Sequence, residues 1–349
     1  MKTLRYITDK TAVLIYTPVN RRYLTGFASS LGYLLMTKNG NKLFVDGRYY
    51  EAACKEAVNA EVICFSSIIS ELSEELKRQG VEKLLIETEN DIAFYNLLKA
   101  RLDQKIVPSQ PLSDRLIALR SVKRKDEVES ISSAQRIAEK AFIDILNFIK
   151  VGVTEKEIAA LLEYKMKSYG AEGLAFDTIA VSGKNSSLPH GVPTDKRVEA
   201  GDFITMDFGA TVNGYCSDMT RTVAVGFVTD KMREVYKTVL SAQEKVIKTV
   251  KAGIICSDAD AAARDIIKNA GYGEYFNHST GHGVGLEIHE MPRLAQKVDT
   301  VTLRAGQIVT DEPGIYIPGE FGVRIEDMLL VQKNGCKNLT NSPKDLIIL

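Results

Sequence analysis

The chain has 349 residues, a length that predicts two domains rather than one. Its 45 lysines and arginines balance its 45 aspartates and glutamates, so we expect no basic face that would hold nucleic acid. Hydrophobic residues make up 45% of the chain, and no stretch approaches the ~20 consecutive apolar residues of a membrane helix. The N-terminal residues show no apolar core of a secretory signal, which predicts a cytoplasmic protein without a membrane partner.

Short apolar runs alternate with helical patterns over the first third of the chain. The apolar runs predict strands at Ala12–Tyr16, Gly32–Met36, Lys42–Val45 and Lys83–Ile86. The helical patterns cover Arg48–Ala57, Ile69–Gln79 and Ile92–Leu102. This alternation predicts an α/β domain.

A connector with Pro108 and Pro111 and a charged run from Arg120 mark the end of that domain. We therefore divide the chain into domains 1–120 and 121–349. The second domain is predicted to begin with a long helix, because apolar residues recur at helical spacing from Val128 to Phe148.

The second domain contains an internal repeat. A Lys-x-Gly segment opens a helix in each half, at Gly152 and at Gly253. An Ala-Gly-x strand segment then recurs at one constant offset, which aligns Asp207 with Glu312. A His-Gly-Val sequence also occurs in both halves, at residues 190 and 282. The repeat predicts two similar halves that face each other across a central site.

The clearest turn signal lies between Asp207 and Asp218. Asn213-Gly214 is the pair most typical of a two-residue hairpin turn. A hairpin that turns there pairs Asp207 with Thr220 and makes Asp218 a diagonal neighbour on the same face of the sheet. Both carboxylates are therefore predicted to point in one direction.

A second pair of carboxylates occupies the matching part of the other half. Glu312 and Glu326 flank a loop at 318–322 and are an even number of residues apart, so a simple hairpin aims both at one face. His282 lies between glycines, which allow a close backbone approach and exclude a helix. The sequence thus predicts four carboxylates and one imidazole at the central site.

Clustered carboxylates repel one another at neutral pH, so such a site calls for bound cations. Oxygen donors with one nitrogen suit hard or borderline divalent ions. Five ligands are too many for one catalytic metal, and two ions ~3.5–4 Å apart that share two carboxylates fit the count. One strand-borne acid beside a turn is more often a solvated cap, and a lone loop histidine such as His190 or His278 is more often satisfied by hydrogen bonds. Joint occurrence at matched positions of a repeat is what favours metal.

Five motifs of the second domain carry a specific resemblance. They are Thr205–Ala210, Tyr215–Thr222, His278–Glu290, Glu312–Tyr316 and Gly322–Asp327. Together they resemble the prolidase and aminopeptidase P branch of the pita-bread metallopeptidases, and Arg22–Phe27 and Leu43–Arg48 are similar to the creatinase-type N-terminal domain of that branch. The resemblance covers essentially the whole chain. It implies a two-domain α/β protein: a creatinase-type N-terminal α/β domain, then a catalytic pita-bread domain, α+β with pseudo-twofold symmetry.

The resemblance also implies a metal ligand set. Asp218 and Glu326 would bridge two ions. Asp207 would bind one ion, and His282 with Glu312 would bind the other. We expect two divalent ions per chain, manganese first, with cobalt, iron or zinc as alternatives. Methionine aminopeptidases share these ligands, but they usually lack an N-terminal domain of this size.

Further residues acquire roles by the same resemblance. The implied catalytic residues are His289, Glu312 and His190. The implied substrate-binding residues are His190, His278, Tyr316 and Arg324. The sequence departs from the family pattern at Asp311, which occupies a position where a hydrophobic residue is common in the family.

Hydrolysis of Xaa-Pro bonds is the expected activity. A bond to proline is a tertiary amide without an N–H, so a peptidase needs a dedicated pocket for it. We expect a Xaa-Pro dipeptidase that acts on Xaa-Pro dipeptides or other proline-containing peptides. The alternative is a Xaa-Pro aminopeptidase for longer peptides, and the minor alternatives are a non-catalytic pita-bread binding module and a creatinase-like hydrolase. We also expect a homodimer, with the N-terminal domain as an assembly and specificity element.

Overall fold

The computed structural model describes residues 5–89 and 91–349. The chain forms two compact units, Met1–Arg120 and Ser121–Leu349. Apolar clusters lie within each unit, so each has its own core. Among the described residues, no helix is long and apolar enough to cross a membrane.

The first unit is built on one six-stranded mixed sheet. Its strands are β1 Thr11–Ile15, β2 Tyr33–Thr37, β3 Gly40–Val45, β4 Glu61–Cys64, β5 Lys83–Ile86 and β6 Lys105–Pro108. Its helices are α1 Pro18–Thr25, α2 Tyr50–Glu56, α3 Ile68–Arg78, α4 Ile92–Arg101 and α5 Gln110–Ser121. The strand order is β4-β3-β2-β1-β5-β6, with β2 antiparallel to both neighbours and the other pairs parallel. This is the predicted α/β arrangement.

Strand β1 shows why helices cover both faces of this sheet. Ala12 and Leu14 belong to one apolar cluster, and Val13 and Ile15 belong to another. Successive side chains of a strand point to opposite faces, so a strand that is apolar at every position must be covered on both sides.

Four elements of the first unit were not predicted from the sequence: α1, β4, β6 and α5. Strands β4 and β6 have only four residues each, too few to show a periodicity. Helices α1 and α5 carry Pro18 and Pro111 at their first and second positions. Proline is tolerated in a first helical turn because no hydrogen bond is lost there. The segment predicted as a connector is therefore the end of β6 and the start of α5.

The second unit begins with two helices and a group of short strands. These are α6 Lys125–Leu146, α7 Glu155–Ser168, β7 Gly173–Leu174, β8 Ile179–Ser182, β9 Phe203–Phe208, β10 Ala210–Val212, β11 Tyr215–Cys216 and β12 Met219–Ala224. The rest of the unit repeats this order. It comprises α8 Asp230–Thr249, α9 Cys256–Asn269, β13 Gly281–Gly283, β14 Glu290–Leu294, β15 Ile308–Asp311, β16 Gly314–Ile317, β17 Phe321–Arg324, β18 Asp327–Gln332 and β19 Gly335–Asn338.

The predicted repeat is visible in the sheets. One half contains a sheet of order β12-β9-β8, and the other contains β14-β13-β15-β18-β19. In both, a central strand leads to a carboxylate and lies between a preceding and a following antiparallel neighbour. The helix pairs α6–α7 and α8–α9 occupy equivalent places in the chain, which is the pseudo-twofold α+β arrangement of the prediction.

The two His-Gly-Val sequences are not equivalent in space. His282 lies on β13 itself, which corresponds to β8 in the first half. His190 comes after β8 and after a short 3₁₀ turn at Gly183–Ser187, in a segment without regular structure. The order along the chain suggested a match, but the strand pairing aligns His282 with a different part of the first half.

Candidate metal centre and active site

Asp207 and Asp218 come from the two sides of one hairpin. Asp207 lies on β9, and β12 begins directly after Asp218. Asn213 and Gly214 have φ values of 50° and 74°, as a tight hairpin turn requires of both central residues. The register places Thr220 directly across from Asp207, which confirms the pairing predicted from the turn.

Glu312 and Glu326 lie across from one another in the second half. Glu312 directly follows β15, and Glu326 directly precedes β18. The β15–β18 ladder on one side of them and the β16–β17 ladder on the other keep the same register, which makes these two residues opposite neighbours. The Glu326 amide donates to the Thr220 carbonyl at 3.1 Å. This bond joins the second carboxylate pair to the strand beside Asp218.

His282 reaches the carboxylates from β13. Its Nδ1 lies 3.0 Å from the Gly283 carbonyl oxygen, and because a carbonyl only accepts, Nδ1 carries the proton and Nε2 keeps a lone pair. Nε2 lies 3.6 Å from Asp218 Oδ2 and 3.3 Å from Glu312 Oε1. A Cβ on Gly283 would lie 2.6 Å from a backbone oxygen of β14, so this approach of the strands requires glycine.

All five predicted ligands lie around one space. Ligand atoms of Asp218, His282 and Glu326 are within 4.8 Å of one another, and all three residues are buried. Asp207 and Glu312 line the same cavity. Their action as ligands stays a prediction, and the burial and charges of the cluster provide a test of how well they fit a metal.

Burial and mutual repulsion raise the pKa values of three acids of this cluster. Burial, and then neighbouring carboxylates, raise the pKa values of Asp218 and Glu326 well above their ordinary range. Burial raises the pKa of Glu312 to about 8, and burial lowers the pKa of His282 to about 4. Without cations, the cluster would therefore hold protons and a neutral imidazole.

The Asp207 carboxylate gives a second indication that the cluster is suited to bind cations. Its Oδ1 is buried, and no group of the described residues donates a hydrogen bond to it. Divalent cations replace the protons of clustered carboxylates and accept free oxygen lone pairs. The donor set therefore fits a centre for hard or borderline divalent metal ions.

Arg324 organises the wall next to Asp207. Its Nη2 donates to Asp207 Oδ2 at 2.6 Å, and its Nε donates to Thr220 Oγ1 at 3.0 Å. Its Nη1 donates to the Tyr316 hydroxyl at 2.7 Å and to the Pro189 carbonyl at 3.1 Å. Thr220 in turn donates to a Glu326 oxygen at 2.7 Å. These bonds favour a role for Arg324 in holding Asp207, and its contact with a substrate stays a prediction.

Tyr316 and His278 extend this network. Nδ1 of His278 lies 2.8 Å from the Ser279 carbonyl oxygen, so Nδ1 is the protonated nitrogen and Nε2 accepts from the Tyr316 hydroxyl at 3.0 Å. Burial lowers the pKa of His278 to about 4 and raises that of Tyr316 to about 12. Both groups are therefore neutral at physiological pH.

The cavity over the carboxylates has a volume of about 370 Å³. His190, His278 and His289 all line it. The His289 ring centroid is 4.3 Å from that of His282, and His190 and His289 are both exposed at the surface. The structure thus brings the predicted histidines to one opening.

Several lining residues were not predicted from the sequence. Phe176 and Ile179 form an apolar part of the wall, and Arg293 lies opposite His282 on β14. Thr310 donates to Glu312 Oε1 at 3.2 Å. Of these residues, only Thr310 could have been identified from the sequence. It is a polar residue two positions before Glu312 on an apolar strand, and such a residue shares the face of Glu312.

Two buried acids lie just outside the cavity. Asp311 is fully buried, and neither carboxylate oxygen has a hydrogen-bond partner among the described residues. Glu290 directly follows His289 and accepts a hydrogen bond from Lys123 Nζ at 2.8 Å. The Glu290 and Lys123 side chains are only 3% and 1% exposed. This ion pair ties the start of the second unit to the segment that carries His289.

Two family models match the chain. Metallopeptidase family M24 matches residues 129–333, and the Creatinase/Prolidase N-terminal domain matches residues 9–122. A curated protein of Pyrococcus horikoshii named Xaa-Pro dipeptidase is 45% identical over 338 residues, which covers 96% of this chain and 94% of that protein.

Solved structures are similar over nearly the whole chain. A structure described as Xaa-Pro dipeptidase from Bacillus anthracis has a TM-score of 0.93 and 44% identity, covering 97% of this chain and 95% of the other. A structure described as X-Pro aminopeptidase from Thermotoga maritima has a TM-score of 0.91 and 39% identity, covering 97% and 98%.

Proposed function

Because the chain belongs to metallopeptidase family M24 and carries the creatinase/prolidase N-terminal domain, we propose that it is a metal-dependent hydrolase of Xaa-Pro bonds, and specifically a Xaa-Pro dipeptidase. The observation that carries the proposal is the buried group of four carboxylates and one imidazole at the base of a small cavity. The name of the Pyrococcus relative favours the dipeptidase. The Thermotoga structure keeps a Xaa-Pro aminopeptidase as the alternative.

Two divalent ions per chain are proposed at the cluster, with manganese first. The residues that would hold them are Asp207, Asp218, His282, Glu312 and Glu326. When bound, such ions supply Lewis-acid activation of the peptide carbonyl and of a water molecule. The predominance of carboxylate oxygen among the donors supports manganese over a metal selected by thiolates.

Proton movement is assigned to two side chains. Glu312 accepts the proton of the attacking water at a carboxylate oxygen, held by the bond from Thr310. The proline nitrogen leaves as a secondary amine and needs a proton, and we assign its delivery to His289, which lines the cavity. Burial lowers the pKa of His289, so its ring is neutral at pH 7 and takes up a proton before giving one. His190, on the opening, is proposed to hold the substrate carbonyl or carboxylate by a hydrogen bond.

Substrate length separates the two candidate activities. A charge-assisted contact between a cationic group of the wall and the free proline carboxylate contributes ~1.5–3 kcal/mol. A longer peptide lacks that carboxylate. A dipeptidase should therefore favour dipeptides by roughly ten- to a hundredfold in kcat/KM.

A peptide panel tests the proposal. The manganese-loaded protein is assayed with Ala-Pro, Ala-Pro-Ala and Ala-Ala-Pro. We expect Ala-Pro to be cleaved fastest and Ala-Ala-Pro not to be cleaved. Faster cleavage of Ala-Pro-Ala than of Ala-Pro would assign the aminopeptidase activity instead. No cleavage of any peptide at full metal occupancy would leave only a binding module.

We also propose a cytoplasmic location and a homodimer. All five cysteines are free, which supports a reducing, cytoplasmic compartment. A homodimer is proposed because the first unit contributes none of the five candidate ligands, and a unit without chemistry on a peptidase commonly serves assembly or access. Sedimentation at micromolar concentration tests the dimer, and a monomer only would contradict it.

A further inference from the structure

A wide groove lies beside the catalytic cavity within the second unit. Its volume is about 1070 Å³, larger than that of the cavity. His278, Ser279 and Arg293 line both spaces, so the groove and the catalytic cavity adjoin at these three residues. A substrate group that projects from the cavity past these three residues enters the groove.

The groove has an excess of unpaired positive charge. Lys268, Arg293 and Lys297 are exposed along it, and within the described ranges none of the three has a carboxylate at ion-pair distance. Glu274 is the single acid among its lining residues. Because the whole chain is electrically neutral, this local excess is not a consequence of composition.

A fourth cation, Arg264, forms hydrogen bonds within the wall of the groove. Lys268, Arg293 and Lys297 therefore remain available to a ligand. The Arg264 Nε and Nη2 donate to the Asp260 carboxylate at 2.7 and 2.9 Å. Its Nη1 donates to the Phe276 carbonyl and its Nη2 to the His278 carbonyl, both at 2.8 Å. These bonds fix the segment that separates the groove from the catalytic cavity. The base of the Lys268 side chain lies close to Gly273, where an added Cβ would come within 3.3 Å of its Cβ and Cγ.

We propose that this groove receives an acidic group of the substrate, so that Xaa-Pro substrates with an added side-chain carboxylate are preferred. This inference rests on the proposed Xaa-Pro hydrolase function and names a substrate class for it. Two positions of a substrate can present the carboxylate: the Xaa side chain and the residue after proline. Charge complementarity is the same in both cases, and the assay separates them.

The expected preference is modest, since exposed charges attract weakly through water. Two or three exposed cations should favour a carboxylate over its neutral isostere by about three- to tenfold in kcat/KM. The preference should shrink as salt is raised from about 20 to about 200 mM, because the Debye length falls from about 20 to about 7 Å and screens exposed charges more strongly.

Isosteric substrate pairs provide the test on the manganese-loaded, full-length protein. The kcat/KM ratio is measured for Glu-Pro over Gln-Pro and for Ala-Pro-Glu over Ala-Pro-Gln. The double variant Lys268→Gln, Lys297→Gln should bring the elevated ratio close to one, and Glu274→Gln should raise it. Lys251→Gln, an exposed lysine outside the groove, is the matched control and should change neither ratio.

The rate of Ala-Pro hydrolysis distinguishes a failure of the groove proposal from a failure of the proposed Xaa-Pro hydrolase function. All of these variants should hydrolyse Ala-Pro at the wild-type rate, because the substituted residues lie outside the catalytic cavity. Ratios near one for both pairs in the wild type, or an elevated ratio that survives the double variant, would overturn the groove proposal alone. A wild-type protein that does not cleave Ala-Pro overturns the proposed function, and the groove proposal with it.

Discussion

Metal binding should release protons, because the metal-free cluster holds them in place of cations. The pKa of Glu312 is raised to about 8, so about nine in ten of these carboxyls are protonated at pH 7. Asp218 and Glu326 also have pKa values well above the ordinary range. His282 contributes no proton, since its pKa of about 4 leaves it neutral. We expect about two protons released per chain at pH 7, between one for Glu312 alone and three for Glu312, Asp218 and Glu326 together.

Isothermal titration calorimetry measures this number. Metal-depleted protein is titrated with manganese at pH 7 in buffers of different ionisation enthalpy, and the slope of the observed enthalpy gives the protons released. Glu312→Gln should lower the slope by about one proton. Asp177→Asn, which removes an exposed acid at the cavity wall, should leave it unchanged. A slope below about half a proton in the wild type would refute the electrostatic reasoning, since the acids would then be ionised before metal arrives.

Thermal stability provides an independent check with a definite sign. A group whose folded-state pKa is raised keeps a proton that the unfolded chain has lost, so its contribution is full below the unfolded pKa and is lost as pH rises through the folded pKa. For Glu312 that window runs from its ordinary value of 4.5 to about 8. The metal-free protein should lose stability across this range. The increase in Tm caused by manganese should grow with pH over the same interval, and a pH-independent increase would contradict the linkage.

Three substitutions test other parts of the structure. Asp218→Ala should abolish Ala-Pro hydrolysis together with metal binding, whereas His289→Ala should keep a measurable rate because water can replace a proton carrier; equal residual rates at full metal occupancy would contradict these roles. Asp311→Val should raise Tm by several degrees, because it removes a buried carboxyl without partners that costs ~1–3 kcal/mol; a lower Tm would mean that the carboxyl has a stabilising partner. Lys123→Met should cost ~3–5 kcal/mol in urea unfolding by leaving the buried Glu290 carboxylate without its cation, and adding Glu290→Leu should restore most of it. A single variant within ~1 kcal/mol of the wild type would count against a stabilising ion pair.

Local chemistry allowed part of this structure to be predicted. The left-handed conformations of Asn213 and Gly214 belong to a two-residue turn, and such a turn sets the register of its strands, so Asp207 opposite Thr220 followed from the sequence. The internal repeat revealed two similar halves because equivalent strands need the same apolar pattern. The candidate ligands could be named since acids inside apolar strands are rare without a function.

Other features depend on residues that are far apart in the chain. Arg324 meets Asp207 only after the two halves pack together, and no spacing in the sequence encodes that contact. His190 and His282 share a local sequence but occupy different places, because strand pairing rather than motif order decides equivalence. The raised pKa of Glu312 likewise arises from burial beside other charges. Burial and long-range pairing are properties of the packed molecule, so a pattern of neighbouring residues could identify these groups but could not determine their partners or their protonation.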